Sequence, residues 1–388
     1  MAARATVSEA LTQPIGERTV GRIPVRNLWL LMLYASDLVR VGRQAHVNLE
    51  EDVDELPDLV AELLCATVER RLRRNLTSGY HRRSAILMRV RGRIDILRTT
   101  GRRLLERGRV ACHFDQLTTD TPRNRIVRSA LESIAHIVRR PDLRYRCRSL
   151  ASDFALLGVS AVWPVEVELV GDRFGRHDAN DRTMVRLAQL ACELALPTED
   201  VGIDPLYAPS REISWVRRLY ERAVLGFYSV MLDSRGWTVR GGQTLRWPVD
   251  ASTDAVSAIL PNMRTDIILD LPSTRRRVVI DTKFNAIVTK GWYRDETLRS
   301  GYLYQMYAYL RSQEGDSASN AAEGLLLHPS VGGCMVDEGI RVQGHLIRFS
   351  TVDLSAPAAT IRERLLAVVD RSMILSALPQ FRSEPRAR

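Results

Sequence analysis

Apolar residues run almost unbroken from Leu28 to Ala35, after the opening Ile23-Pro24-Val25-Arg26-Asn27, and this pattern predicts a short entry followed by a buried helix. A second helix is expected through Leu59, Leu63, Cys65, Ala66 and Leu72, led in by the stretch 50–62 with seven carboxylates and no base. The run Ala85–Ile96 ends in period-2 alternation and reads as strand. Another helix is expected from about Pro122 to Arg139, with Asp120 or Thr121 as N-cap and Pro122 in its first turn. Residues 171–182 read as a loop, a helix follows to Leu196, and Pro197–Pro209 reads as a second loop.

The second half has a clearer order. Ile213, Val216, Leu219, Ala223, Phe227 and Met231 recur at helical spacing over about Arg211–Asp233, and Gly236 ends that helix. Strands are expected at Thr238–Leu245, Arg264–Leu271 and Arg277–Phe284, then a helix over about Glu296–Arg311. Strands at Gly324–His328 and His345–Ser350 and a helix over about Ala359–Met373 complete the order α-β-β-β-α-β-β-α. A central mixed sheet flanked by helices closes such an order, so the fold class is α/β (mixed). The 388 residues suit two domains. The expected division is a mobile 1–22, an α+β domain over 23–175, a linker region over 176–209 and the sheet domain over 210–388.

Composition narrows the class. Hydrophobic residues make up 45% and charged residues 26%, an ordinary globular balance. No run approaches the roughly 18 uncharged apolar residues of a membrane span, and Met1–Gly16 lacks the apolar core of a secretory leader. A cytoplasmic chain without membrane attachment is therefore expected. Cys65, Cys112, Cys147, Cys192 and Cys334 are odd in number, far apart and without a C-x-x-C pair, which predicts reduced thiols rather than disulfides, zinc or iron–sulfur ligands. The net charge of +10 is uneven: residues 66–150 alone carry +15, a footprint that suits phosphate backbones or, equally, a solvated arginine-rich helix face. Only Lys283 and Lys290 are lysines among 56 basic residues. Arginine is thus this chain's default cation, and each lysine invites the question of what a compact ammonium does there.

Candidate chemistry gathers in the second half. Asp266 stands in Met263-Arg264-Thr265-Asp266-Ile267-Ile268-Leu269, and Asp281-Thr282-Lys283 ends the apolar run Val278-Val279-Ile280. Residues i and i+2 of a strand share a face, so Asp281 and Lys283 project together, and a hairpin brings Asp266 beside them. Charged groups at buried strand ends are costly unless paired or bound to metal. Two carboxylates and a carbonyl make an oxygen site for Mg²⁺, or Mn²⁺ in its place, completed by water and phosphate. The plainer reading is a structural Asp–Lys pair. On the next helix Gln305 and Tyr309 are i and i+4, an amide and a phenol that can hold a phosphate or the lysine; the plainer reading is that Tyr302, Tyr304, Tyr307 and Tyr309 form an amphipathic packing surface. Glu221, on the helix before the sheet, is either a third metal ligand or half of a surface ion pair with Arg217 or Arg218.

The assembled order, Glu221, Asp266, Asp281-x-Lys283, then Gln305-x-x-x-Tyr309, resembles the PD-(D/E)xK nuclease superfamily in its RecB-like form, with Thr265 where that motif usually has proline. Ile23–Ala35, Arg91-Gly92-Arg93-Ile94-Asp95 and Phe114–Ile126 resemble successive landmarks of the McrC family, the endonuclease subunits of McrBC restriction systems. That resemblance implies an amino-terminal domain that docks on a McrB-like AAA+ GTPase ring and stimulates it. It implies a carboxy-terminal domain that cuts double-stranded DNA carrying 5-methylcytosine, with Asp266, Asp281 and Glu221 on magnesium and Lys283, Gln305 and Tyr309 completing the site. The chain has no G-x-x-x-x-G-K-[ST] segment, so no GTP or ATP site is expected in it. A RecB-like nuclease with another partner or substrate, and a non-cutting DNA-binding adaptor of an AAA+ ring, are the competing readings.

Overall fold

The computed structural model describes residues 19–20, 22–36, 38, 53–164, 179–198, 209–285, 288–289, 297–314, 322–333 and 335–370. Lys290, Cys334, the loop residues 171–178, most of 1–22 and the expected helix end at Arg371–Met373 lie outside them. The chain forms two compact units, one from Met1–Asp54 with Glu199–Arg388 and the other from Glu55–Thr198. This division differs from the expected boundaries. Helix α1 (Val25–Ala35) belongs with the sheet-bearing unit, and the helix placed partly in the linker region belongs to the inserted one.

The inserted unit is a helical body with a small sheet. It comprises α2 (Leu56–Leu72), β1 (Gly79–Leu87), β2 (Arg93–Ile94), α3 (Ile96–Gly101), β3 (Val110–Thr118), α4 (Pro122–Ile137), α5 (Pro141–Leu156) and α6 (Ala179–Ala195). The sheet is antiparallel in the order β1-β3-β2. The strand expected over Ala85–Ile96 starts earlier and breaks. Gly92 turns the chain at φ 67°, where any Cβ would meet the His113 carbonyl at 2.4 Å, and Asp95 then caps α3 by accepting from the Arg98 N–H at 3.0 Å. Thr121 caps α4 as expected, accepting from the Asn124 N–H at 3.4 Å. Asn124 donates to the Thr77 and Thr119 carbonyls, and Asp120 takes both ends of the Arg125 guanidinium. The two internal landmarks of the sequence are therefore turn and cap chemistry. Cys65 and Cys147 are free, buried thiols whose sulfurs are 3.4 Å apart across α2 and α5.

The larger unit is built on a six-stranded sheet. After α7 (Pro209–Met231) come β4 (Thr238–Gly241), β5 (Ile267–Leu271), β6 (Arg276–Thr282), α8 (Ser300–Arg311), β7 (Ala322–Ser330), β8 (Asp337–Val342), β9 (His345–Asp353) and α9 (Ala358–Asp370). The strand order is β8-β9-β7-β6-β5-β4. β4, β5 and β6 form an antiparallel meander, α8 carries the crossover to parallel β7, and β9 extends the sheet in parallel before β8 closes its edge antiparallel. Strand parity sorts the two faces. Val279, Leu326, Ile347 and Phe349 pack with Met306, Tyr309 and Leu310 of α8. On the other face Arg348 donates to the Val368 carbonyl of α9, and Tyr228 of α7 donates to the Leu365 carbonyl.

Helix α1 completes that second layer. It lies so close to α7 that a Cβ on Gly226 would fall 1.9 Å from the Tyr34 carbonyl oxygen, and Tyr34 meets the Phe227 ring edge-on at 5.0 Å. Asn27 ties it down by donating to the Leu354 and Ala356 carbonyls at 2.7 and 3.0 Å. The β8 strand was not expected; its Asp-Glu-Gly-Ile-Arg-Val sequence is largely solvent-facing, as an edge strand allows. Among the described residues no helix is long and apolar enough to cross a membrane.

Candidate active site

The meander brings the predicted residues together. β5 and β6 pair with Ile280 opposite Ile267, so the end of β6 adjoins the start of β5, and Asp281 and Asp266 arrive at the same corner. Asp281 and Lys283 project from the face that α8 covers, both almost wholly buried. Lys283 Nζ lies 2.5 Å from Asp281 Oδ2 and donates to Gln305 Oε1 at 2.9 Å. Gln305 donates in turn to the Tyr309 hydroxyl at 2.6 Å, and Tyr309 donates to the Arg264 carbonyl at 2.7 Å. The amide and the phenol thus hold the lysine and tie α8 to the segment that carries Asp266.

Asp266 is half-buried and anchored on one oxygen only. Its Oδ2 accepts from the Thr282 N–H at 2.7 Å and the Thr282 hydroxyl at 2.8 Å, while Oδ1 makes no hydrogen bond among the described residues. Asp281 Oδ2, although buried and beside Lys283, has no hydrogen bond of acceptable geometry. Burial and then the charge of Asp266 raise the Asp281 carboxyl, Lys283 offsets them only in part, and the balance lies at about 6. Glu221 is exposed and forms no ion pair with Arg217 or Arg218 among the described residues. Partial desolvation and then the charge of Asp266 push its carboxyl up.

These donors suit a hard cation. Two carboxylates with open oxygens match Mg²⁺, which binds one or two carboxylates and keeps waters or phosphate oxygens in its remaining positions. No group of three or more His, Cys, Asp or Glu side chains able to hold a metal occurs among the described residues, so a site demanding three protein side chains is not formed. The departure at Thr265 has a physical reason. Its N–H donates to the Gln243 carbonyl at 2.9 Å, a bond that proline cannot make.

Three neighbours went unassigned in the sequence. The Tyr302 ring lies 4.7 Å from Lys283 Nζ, a cation–π contact, although Tyr302 reads as packing surface. Asn285 donates to the Tyr302 hydroxyl, and buried His328 bonds the Asn285 carbonyl through Nδ1 at 2.9 Å. Burial and the Lys283 charge lower the His328 value even though that bond opposes them. Neither Asn285 nor His328 stands in any recognisable spacing to the Asp-x-Lys pair.

Comparison with known proteins adds what the chain is similar to. Residues 8–193 match the family described as McrBC 5-methylcytosine restriction system component. The chain is 26% identical over 350 residues to the type IV methyl-directed restriction enzyme EcoKMcrBC of Escherichia coli strain K12, covering 90% of this chain and 97% of that protein. Among solved structures it resembles a Thermococcus gammatolerans assembly of McrB AAA+ hexamers with bound McrC, at TM-score 0.39 and 16% identity over 89% of this chain and 76% of that one. A second structure of the McrBC complex from the same organism matches at TM-score 0.30 and 15% identity, over 47% of this chain and 53% of that one. The landmarks from Ile23 to Ile126 lie within the matched residues 8–193, and the likeness to the Escherichia coli enzyme runs over nearly the full length: the chain is similar to McrBC restriction-system components.

Proposed function

We propose that this chain is the DNA-cutting subunit of a McrBC-type complex, a Mg²⁺-dependent endonuclease of the PD-(D/E)xK kind acting on DNA with 5-methylcytosine. The observation that carries this reading is the linked set Asp266, Asp281, Lys283, Gln305 and Tyr309, in which two carboxylates keep open oxygens beside one fixed ammonium. Asp266 and Asp281 would hold the ion, with Glu221 at the rim. Bound there, it supplies an activated water and neutralises charge on the scissile phosphate.

The chain's own residues do the rest. Asp281 and Gln305 fix the Lys283 ammonium, which is then placed to orient the attacking water and to stabilise the negative charge that develops on the phosphate. Gln305 and Tyr309 act through Lys283 rather than on DNA, because their hydrogen bonds run to each other and to the Arg264 carbonyl. Thr282 holds Asp266 by two donors and so sets which of its oxygens faces outward. The motor is assigned to a McrB-like AAA+ GTPase, since this chain has no Walker A segment, and the Glu55–Thr198 unit is the proposed docking body that stimulates it. The cytoplasm, where incoming DNA is met, is the proposed location.

The test incubates the full chain with its cognate ring, GTP and Mg²⁺ on methylated and unmethylated plasmid. Cleavage of the methylated plasmid alone is expected, and Asp281→Ala should lose it while stimulating GTP hydrolysis as the native chain does. Cutting by a well-folded Asp281→Ala variant overturns the site, and a native mixture that cuts neither plasmid overturns the function.

A further inference from the structure

The face that carries the carboxylates also carries arginines with no role in the site above. Beyond the C-terminal end of α8 lies a cleft of about 430 Å³, lined among others by Arg240, Gln243, Arg246, Arg277 and Glu314. Arg240 and Arg277 both reach Asp270, the latter with Nε 2.6 Å from Oδ1. Two guanidiniums on one carboxylate leave a surplus positive charge, and Arg277 spends a further N–H on Gln313 Oε1 at 3.0 Å. Glu314 is itself occupied by Arg311 and His345.

Arg246 is exposed and makes no salt bridge or side-chain hydrogen bond among the described residues. Its backbone is nevertheless fixed: Thr244 and Leu245 pair with Arg264 and Met263, and Trp247 Nε1 donates to the Pro261 carbonyl at 2.5 Å. That pairing joins the cleft to the carboxylates. Arg264, two residues before Asp266, is also exposed and without an ion pair among the described residues. Its guanidinium lies against Gly242, where a Cβ would come within 2.7 Å of it. The Gly242 N–H donates to the Asp266 carbonyl at 2.9 Å, so Arg264 is held beside the acid.

Among the described residues Arg264 and Arg246 therefore stand as two partnerless cations on paired strands next to Asp266, while Arg240 is spent on Asp270. Structural arginines in this unit are paired, as Arg276 is with Glu323 and Arg348 with Asp337. Two unpaired guanidiniums on a pinned backbone beside the carboxylates fit a ligand that carries successive anions, and a phosphodiester backbone is such a ligand.

We infer that Arg264 and Arg246 form a short track for the phosphodiester backbone of duplex DNA on one side of the bond to be cut, leading into the Asp266–Asp281 corner. This rests on the nuclease reading and assigns the strand's path across it. The track positions DNA; it does not touch the reacting atoms.

The test measures binding of a short duplex to the full chain in EDTA, from about 50 to 200 mM salt. Arg246→Ala and Arg264→Ala should each weaken binding about three- to tenfold at the low end and reduce the log–log salt slope by about 0.9, and the double variant by about twice that. Arg341→Ala, on the far edge strand β8, should keep native affinity and slope. Native slopes in the Arg246 and Arg264 variants overturn the track, as does a native chain that fails to bind duplex. Cleavage of methylated plasmid with Mg²⁺ on the same preparations reports separately on the nuclease reading. Reduced slopes without any cutting support the track and refute the nuclease; cutting with unchanged slopes does the reverse.

Discussion

The two faces of the six-stranded sheet each hold a carboxylate beside a cation, and they treat it in opposite ways. On the α9 face Asp337 is desolvated, which pushes its carboxyl up, but hydrogen bonds from Ser350 and Arg348 and the charges of Arg348 and Arg364 pull it below the ordinary range. Arg348 and Ser350 donate to Oδ1 at 2.9 and 2.8 Å, and Arg364 donates to Oδ2 at 3.2 Å. On the α8 face Asp281 is likewise desolvated, yet its neighbours are one lysine and a second acid, and its carboxyl stays raised. Donor count separates the two. A carboxylate that the fold needs is saturated by the fold; one left short of donors is kept for a ligand that arrives later.

The largest effect expected from breaking this contrast is on catalysis. Asp281→Ala should lower cleavage of methylated plasmid by at least ~10⁴-fold, about 5.4 kcal/mol at 1.36 kcal/mol per decade, while its melting temperature holds or rises. Asp337→Ala should do the opposite. It leaves two buried guanidiniums without their acid, so stability measured by urea unfolding should fall by roughly 3–5 kcal/mol, while cleavage per folded molecule persists. If Asp337→Ala loses cutting at full stability, the division of the two faces fails.

Lys283→Arg sharpens the same contrast from the cation's side. The planar fork keeps the charge but cannot occupy the space between Asp281, Gln305 and the Tyr302 ring as a single point. A loss of at least ~10²-fold in rate is expected, about 2.7 kcal/mol. Near-native cutting by the arginine variant would reduce Lys283 to a counter-ion.

The smallest effect is on stability against pH, read without divalent metal. A carboxyl raised in the folded state binds its proton more tightly there than in the unfolded chain. Asp281 therefore makes stability fall as pH rises from about 4 to about 6, and stability stays lower above that. Asp337, depressed when folded, contributes fully above about pH 4 and loses that contribution as pH falls through its folded value. Asp281→Asn should remove the first slope and raise stability near pH 7 by roughly 3 kcal/mol, leaving the acid limb unchanged. Unfolding free energies across pH 3–8 would show it, and a native slope in the variant would contradict the assignment.

The sequence made much of the site legible because the chemistry is local. Period-2 spacing put Asp281 and Lys283 on one face, helical spacing put Gln305 above Tyr309, and two adjacent strands implied the hairpin that adds Asp266. What was hidden depended on distant partners. Nothing in Val25–Ala35 announces that its faces close on Gly226 and the Leu354 carbonyl, so its membership of the sheet-bearing unit could not be read locally. The edge strand Asp337–Val342 lacks a buried alternation because one of its sides has no neighbour. Arg264 and Arg246 look like any of the chain's other arginines until their lack of partners is seen.

The placement of α1 has a consequence in time. The helix leaves the ribosome early, carrying Leu28, Trp29, Leu30, Leu31, Met32, Leu33 and Tyr34, all of which end up buried. The helix it closes upon, Pro209–Met231, is made only after the whole of Glu55–Thr198 has been translated. At about 5–20 residues per second that is a delay of roughly 10–40 s, long enough for the intervening unit to fold first. Through that interval a nearly all-apolar helix waits without its mate, so this segment of the nascent chain is open to aggregation, and a holding chaperone would shelter it until Pro209–Met231 emerges.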